Sequence, residues 1–203
     1  MRQPTDERPL LLIIAGPNGS GKSSVYRDTD SEMQGRSVWI VNPDLLTARI
    51  QASEGLDLDS ANLAAVNRLE AWIEASIDVH KSIGVETVLS TAKYRRLVEH
   101  AQRRGFVVWL LYVILDTPRR NIERVRLRVR KGGHAVAEDK IVSRYYGSLA
   151  QLPWFLDRAD AAWLYDNSGA TPQLVGEKKD GIVRLAPDTI APLRQAVQSI
   201  AHE

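Results

Sequence analysis

Gly16-Pro17-Asn18-Gly19-Ser20-Gly21-Lys22-Ser23 satisfies G-x-x-x-x-G-K-[ST] at each fixed position, and no other stretch constrains the fold as much. The pattern works only where a strand runs into a glycine-rich loop and a helix leaves it. Upstream, Leu10-Leu11-Leu12-Ile13-Ile14-Ala15 is a short apolar run of the kind a buried parallel strand requires. Downstream, a helix is predicted from Lys22 to about Met33. The glycines let the backbone wrap phosphate oxygens closely, while loop amides and the helix N-terminus supply donors and positive dipole. A triphosphate is therefore expected against Gly16 to Ser23, with Ser24 beside it. Lys22 would neutralise its β- and γ-phosphates, and the Ser23 hydroxyl would ligate Mg²⁺. The plainer alternative is a glycine-rich turn without a ligand.

At 203 residues the chain predicts a single domain with a cover over about 119–150. A net charge of +2 does not make the whole molecule a polyanion binder. There is no cysteine, which excludes disulfides and thiolate metal sites and suits a reducing cytosol. The polar segment Met1 to Pro9 and the short apolar run after it fit neither a signal peptide nor a membrane span. The expectation is a cytoplasmic protein without membrane contact.

Strand and helix patterns alternate along the chain. Further strands are predicted at 37–41, 85–91, 106–115 and 161–165, with helices between them. Asn42 and Pro43 open one helix, and Asp59 or Ser60 caps a long one marked by Leu69, Trp72, Ile73, Ile77 and Ile83 and stopped by Gly84. Thr117-Pro118 opens another, which Gly132-Gly133 breaks, and helix resumes over 138–149. Segments 174–177 and 182–185 read as an edge hairpin before a terminal helix over 187–202. The fold class is α/β, with a mostly parallel five-stranded sheet, helices on both faces, an arginine-rich helical lid, and a C-terminal edge hairpin and helix. Ligands in such sheets bind at the carboxyl ends of strands, so polar residues there carry the functional weight.

Asp44 stands just past the second strand, where a carboxylate can take a proton from an acceptor hydroxyl or simply complement a helix dipole. Glu86 lies in the third strand with Thr87, and Ser90 and Thr91 follow. The carboxylate could hold substrate hydroxyls or a magnesium-bound water, or face solvent at a sheet edge. Asp116 ends the fourth strand, as a magnesium ligand or as a turn residue. The run from Arg119 to Lys131 carries six arginines and a lysine, with Arg124 and Arg128 four apart on one helix face. Guanidinium forks hold phosphate and neutralise a phosphoryl group in flight. A solvated basic face or a nucleic-acid footprint are the alternatives, and the helix lacks the aromatics of a stacking site. Gly132-Gly133-His134 reads as a hinge, with His134 a candidate phosphate contact. Arg144 is a further candidate phosphate clamp, and Asn167-Ser168 is either a nucleobase contact or a turn.

Together these segments resemble the zeta toxin family of P-loop kinases, in its chromosomal zeta-like branch. The resemblance rests on Gly16 to Ser23, Asn42-Pro43-Asp44, Glu86-Thr87-Val88-Leu89-Ser90, the run Arg124 to His134, Arg144-Tyr145 and Tyr165-Asp166-Asn167-Ser168. It implies ATP or GTP as phosphoryl donor and a nucleotide sugar such as UDP-N-acetylglucosamine as acceptor, phosphorylated on a sugar hydroxyl. It implies Asp44 as catalytic base, Lys22 and Ser23 on phosphates and magnesium, Arg128, Arg144 and Arg124 as clamps, and Glu86 and Thr87 in the acceptor site. Val88 departs from the family, which carries a second threonine there. An antitoxin, if the chain has one, is expected as a separate protein. The rival readings are a kinase of nucleic-acid ends and a nucleotide-gated binding module.

Overall fold

The structure is a computed structural model that describes residues 8–29, 38–133 and 135–199. Its elements are β1 (Leu10–Ala15), α1 (Lys22–Thr29), β2 (Trp39–Val41), α2 (Pro43–Glu54), α3 (Leu58–Asp78), β3 (Ile83–Thr87), α4 (Arg95–Arg103), β4 (Val107–Ile114), α5 (Pro118–Arg130), α6 (Glu138–Arg158), β5 (Ala161–Asp166), β6 (Gln173–Lys179), β7 (Ile182–Leu185) and α7 (Ala191–Gln198). The sheet order is β2-β3-β1-β4-β5-β6-β7. The first five strands pair in parallel, and β6 and β7 add an antiparallel edge. The α/β class, the five-strand parallel core and the terminal hairpin are as expected.

Apolar residues on every position of β1 and β4 let the sheet bury both faces. Leu11, Ile13 and Ala15 enter a large core with α3, α4 and α6, while Leu10, Leu12 and Ile14 pack on the other side with Val25 of α1. Each such leucine or isoleucine contributes about 1.5–3 kcal/mol on burial. With β1 central, its carboxyl end opens among the ends of β3, β4 and β5, where the glycine-rich loop emerges.

Several boundaries differ from expectation. The long helix α3 is capped by Asp57, whose carboxylate accepts from the amides of Asp59 and Ser60 at 3.0 Å each. It ends at Asp78 through Val79 and His80, the latter at φ +56°, and Gly84 lies instead inside β3. Glycine is needed there because a Cβ would lie 2.7 Å from Ile40 Cγ1. Trp72 is off the core and packs edge-on against Trp39, ring centroids 4.1 Å apart. Helix α6 continues past Leu149 and through Pro153, because Leu152, Phe155 and Leu156 belong to the main core. The second half of the expected cover is thus anchored to the sheet. The end of the first expected helix, Ser37, His134 and residues 200–202 lie outside the described residues.

Candidate active site

The loop between β1 and α1 is shaped by contacts that only glycine permits. Gly16 has φ +139°, and a Cβ there would stand 2.0 Å from Val113 O. A Cβ on Gly21 would stand 2.3 Å from Asn167 Nδ2. The buried Lys22 lies back across the loop, its ammonium donating to Gly16 O (2.9 Å) and Pro17 O (3.2 Å). Ser24 is exposed in the first turn of α1.

The ends of β2 and β3 deliver an acid to this loop. Register places Glu86 beside Ile14 and Thr87 beside Ala15. The Ser23 hydroxyl donates to Glu86 Oε2 at 3.0 Å, and Asn42 Nδ2 donates to the same oxygen at 2.9 Å. Asn42 also caps α2, its Oδ1 accepting from Leu45 N. The backbone of Asp44 therefore sits at the second position of α2, two residues beyond the partner of Glu86. Ser23 and Glu86 together fit Mg²⁺, which takes hard oxygen ligands, few of them from protein, and completes its shell with phosphates and water. Among the described residues no cluster of three or more His, Cys, Asp or Glu forms a self-sufficient metal cage.

Thr87 shapes the loop that follows. Its hydroxyl accepts from Leu89 N at 3.0 Å and bonds to Tyr94, whose phenol burial pushes up to about 12. Leu89 is buried at φ +56°, a left-handed conformation that costs a leucine about 1–3 kcal/mol and that tertiary packing must hold. Ser90 is pressed against α6, where a Cβ on Gly147 would lie 2.8 Å from Ser90 O. Thr91 is exposed at the start of the 3-10 turn Ala92–Tyr94.

On the opposite side α5 docks onto the loop. Asn121 is fully buried and donates from Nδ2 to Asn18 O at 2.6 Å. Arg144 of α6 reaches the same residue, Nη1 to Asn18 Oδ1 at 3.3 Å. Arg124 donates to Asn167 O at 2.6 Å, and Asn167 donates to Ser20 O at 2.8 Å. A buttress of two side chains thus links α5, the end of β5 and the loop. Arg144 is held against rigid ground, since its neighbour Tyr145 is buried and donates to Leu115 O at 2.9 Å. Farther along α5, Arg124, Leu127, Arg128, Lys131 and Gly133 line a pocket of about 370 Å³.

The expected residues therefore separate. Glu86, expected at the acceptor or at a magnesium-bound water, stands against Ser23. Asp116, expected as a magnesium ligand or as a turn residue, is engaged by Arg120 Nε at 2.8 Å, and its amide donates to Ser168 Oγ at 2.7 Å. It ties the segment after β4 to the turn after β5, and the acid beside the Ser23 hydroxyl is Glu86. Sequence reasoning assigned no role to Asn121. Its signal was its chemistry, a neutral amide inside an arginine run.

A family model described as Zeta toxin matches residues 1–169. An uncharacterized protein of Haemophilus influenzae is 27% identical over 136 residues, covering 66% of this chain and 91% of that protein. Among solved structures, the toxin–antitoxin system PezAT of Streptococcus pneumoniae superposes with a TM-score of 0.64 at 17% identity, over 98% of this chain and 80% of that one. The AvrRxo1-ORF1:-ORF2 complex with ATP superposes with a TM-score of 0.67 at 16% identity, covering 94% of this chain. This chain spans 63% of the length of that protein. A putative kinase from Chloroflexus aurantiacus gives a TM-score of 0.54 at 14% identity, covering 68% of this chain and 76% of that one. Among the described residues no helix is long and apolar enough to cross a membrane. With a phosphate-loop motif, an acid against its serine, an arginine-bearing helix over it and a family match across more than four fifths of its length, this chain belongs to the zeta toxin family.

Proposed function

We propose that this protein is a nucleoside-triphosphate-dependent kinase that phosphorylates a hydroxyl of a nucleotide sugar of the UDP-N-acetylglucosamine class. The observation that carries the reading is the convergence on one loop of Lys22, the Ser23–Glu86 pair and the α5 buttress. ATP or GTP binds with its phosphates along Gly16 to Ser23. Lys22 leaves the loop carbonyls for the β- and γ-phosphates. Ser23 and Glu86 would hold Mg²⁺, which neutralises charge on the phosphates. Arg128 and Arg144 offset the charge spread over the phosphoryl group in flight, a role that preorganised cations fill without reorganising solvent. Asp44 takes the acceptor's proton as the oxygen–phosphorus bond forms and the bond to the nucleoside diphosphate breaks. Thr87, Ser90 and Thr91 border the acceptor side, and Asn167 the donor base. A separate antitoxin chain is the proposed protein partner, by analogy with the PezAT system.

A nucleic-acid track along α5 is disfavoured by pairing. Arg119 bonds Glu123, Arg126 bonds Glu138 and Arg120 bonds Asp116, so much of the basic face is already neutralised. The test is incubation with labelled ATP or GTP, Mg²⁺ and UDP-N-acetylglucosamine or a metabolite extract, read by mass spectrometry. A phosphorylated nucleotide sugar is expected, at levels reduced by orders of magnitude in folded Lys22→Ala and Asp44→Ala. Wild-type transfer by Asp44→Ala removes the base assignment, and label appearing only on nucleic-acid ends removes the acceptor.

A further inference from the structure

Helix α5 ends in a left-handed stop whose two glycines have different reasons to be there. Gly132 N donates to Val129 O at 2.9 Å and Gly133 N to Arg128 O at 3.0 Å. This is the paired closure in which the first residue past the cap turns left-handed, and Gly132 does so at φ +85° with open space around it. The residue after it commonly packs an apolar side chain on the third residue from the helix end. Here that following residue is Gly133 and the third residue from the end is Arg128. A Cβ on Gly133 would lie 2.6 Å from Arg128 Cγ, 3.3 Å from its Cδ and 3.0 Å from its carbonyl oxygen. Gly133 itself does not have the positive φ that would demand glycine, so space is its reason. The space is taken by the aliphatic stem of Arg128, whose Nε is buried and whose side chain lines the pocket with Arg124 and Lys131.

We propose that Gly133 is a positioning residue for Arg128. By lacking a side chain it lets the arginine stem lie flat across the helix end, which aims the guanidinium into the cationic pocket. The clash falls near the root of the side chain, so a methyl group at 133 cannot be accommodated by moving only the tip. The whole guanidinium must leave its present direction. This assignment rests on the kinase reading for its consequence in turnover, though its geometry stands apart from it.

The test compares Gly133→Ala with Gly132→Ala, each alone and with Arg128→Ala. In ligand-free protein, Gly133→Ala is expected to shift or broaden the Arg128 Nε–H resonance, whereas Gly132→Ala lowers the Tm and leaves that resonance in place. In the transfer assay Gly133→Ala should lower kcat on the order of 10- to 100-fold with little change in the KM for nucleotide, as misplacement of a reacting group does. In the Arg128→Ala background it should cost nothing further, since the two changes act through one side chain. If Gly133→Ala lowers the Tm, the double variant should recover the part due to the Cγ and Cδ contacts and leave the part due to the Arg128 carbonyl oxygen. An unmoved Arg128 resonance in Gly133→Ala, or an equal loss of kcat with and without Arg128, overturns the proposal. A wild-type protein that transfers no phosphoryl group overturns the kinase reading instead, and the resonance still decides the role of Gly133.

Discussion

The two halves of α5 use the same residue types and do different things. In the first half, Arg120 donates to Ser168 O and Arg124 to Asn167 O, while Asn121 is sealed against Asn18. These side chains satisfy backbone carbonyls at the end of β5 and in the phosphate loop. They act as struts. In the second half, Arg126 pairs with Glu138 at the surface, Arg130 is exposed, and Arg128 lies along the pocket with Lys131. The pocket there takes Arg128 and Lys131 from this end of the helix and only Arg124, already tied to Asn167 O, from the other. An arginine's role is set by the group it meets, so a count of arginines in a helix gives charge and says nothing of function.

The largest expected effect is on the second half. Arg128→Ala should lower kcat by about 10²–10³-fold, the loss typical of removing one preorganised stabiliser of transition-state charge, with the unfolding midpoint unchanged. If it instead unfolds the protein as readily as a change in the first half, the contrast between strut and clamp collapses. Asn121→Leu keeps the branched heavy-atom shape, though not the volume, and removes the donor to Asn18 O. It should cost about 1–3 kcal/mol in urea unfolding, because a buried acceptor is left unpaired, and weaken nucleotide binding by calorimetry. Unaltered nucleotide affinity in that variant would show that the loop does not need its strut. Arg124→Ala should cost about 1 kcal/mol of stability, less than Asn121 because solvent can reach the freed carbonyl. It should also lower turnover less than Arg128→Ala, and a loss of kcat as large as that of Arg128→Ala would move Arg124 from strut to clamp. The smallest effects belong to the paired surface arginines. Arg119→Ala and Arg126→Ala should each change stability by about 0.5 kcal/mol or less and leave turnover at wild-type level. A steep dependence of transfer on salt, abolished by those two changes, would instead support a polyanion track.

Local chemistry carried most of the fold. The glycine-rich loop, the apolar runs of β1 and β4 and the capping residues Asn42 and Pro43 act over a few residues, and each element was legible for that reason. Errors arose where neighbours compete. Asp57, Asp59 and Ser60 are all cap formers within one turn, and it is Asp57 whose carboxylate accepts from the amides of the other two. The length of α6 was hidden because Pro153 reads as a breaker, while Leu152, Phe155 and Leu156 hold the helix through it.

By itself the sequence determined the P-loop, the parallel α/β order and the family, because these depend on contiguous residues and on period. Only the tertiary structure decided which acid meets Ser23, which arginines are struts, and why Gly133 is glycine. Glu86 lies 63 residues from Ser23, and Asn167 lies 147 from Ser20. Pairings across such separations follow from strand order and side-chain direction, which no local pattern encodes.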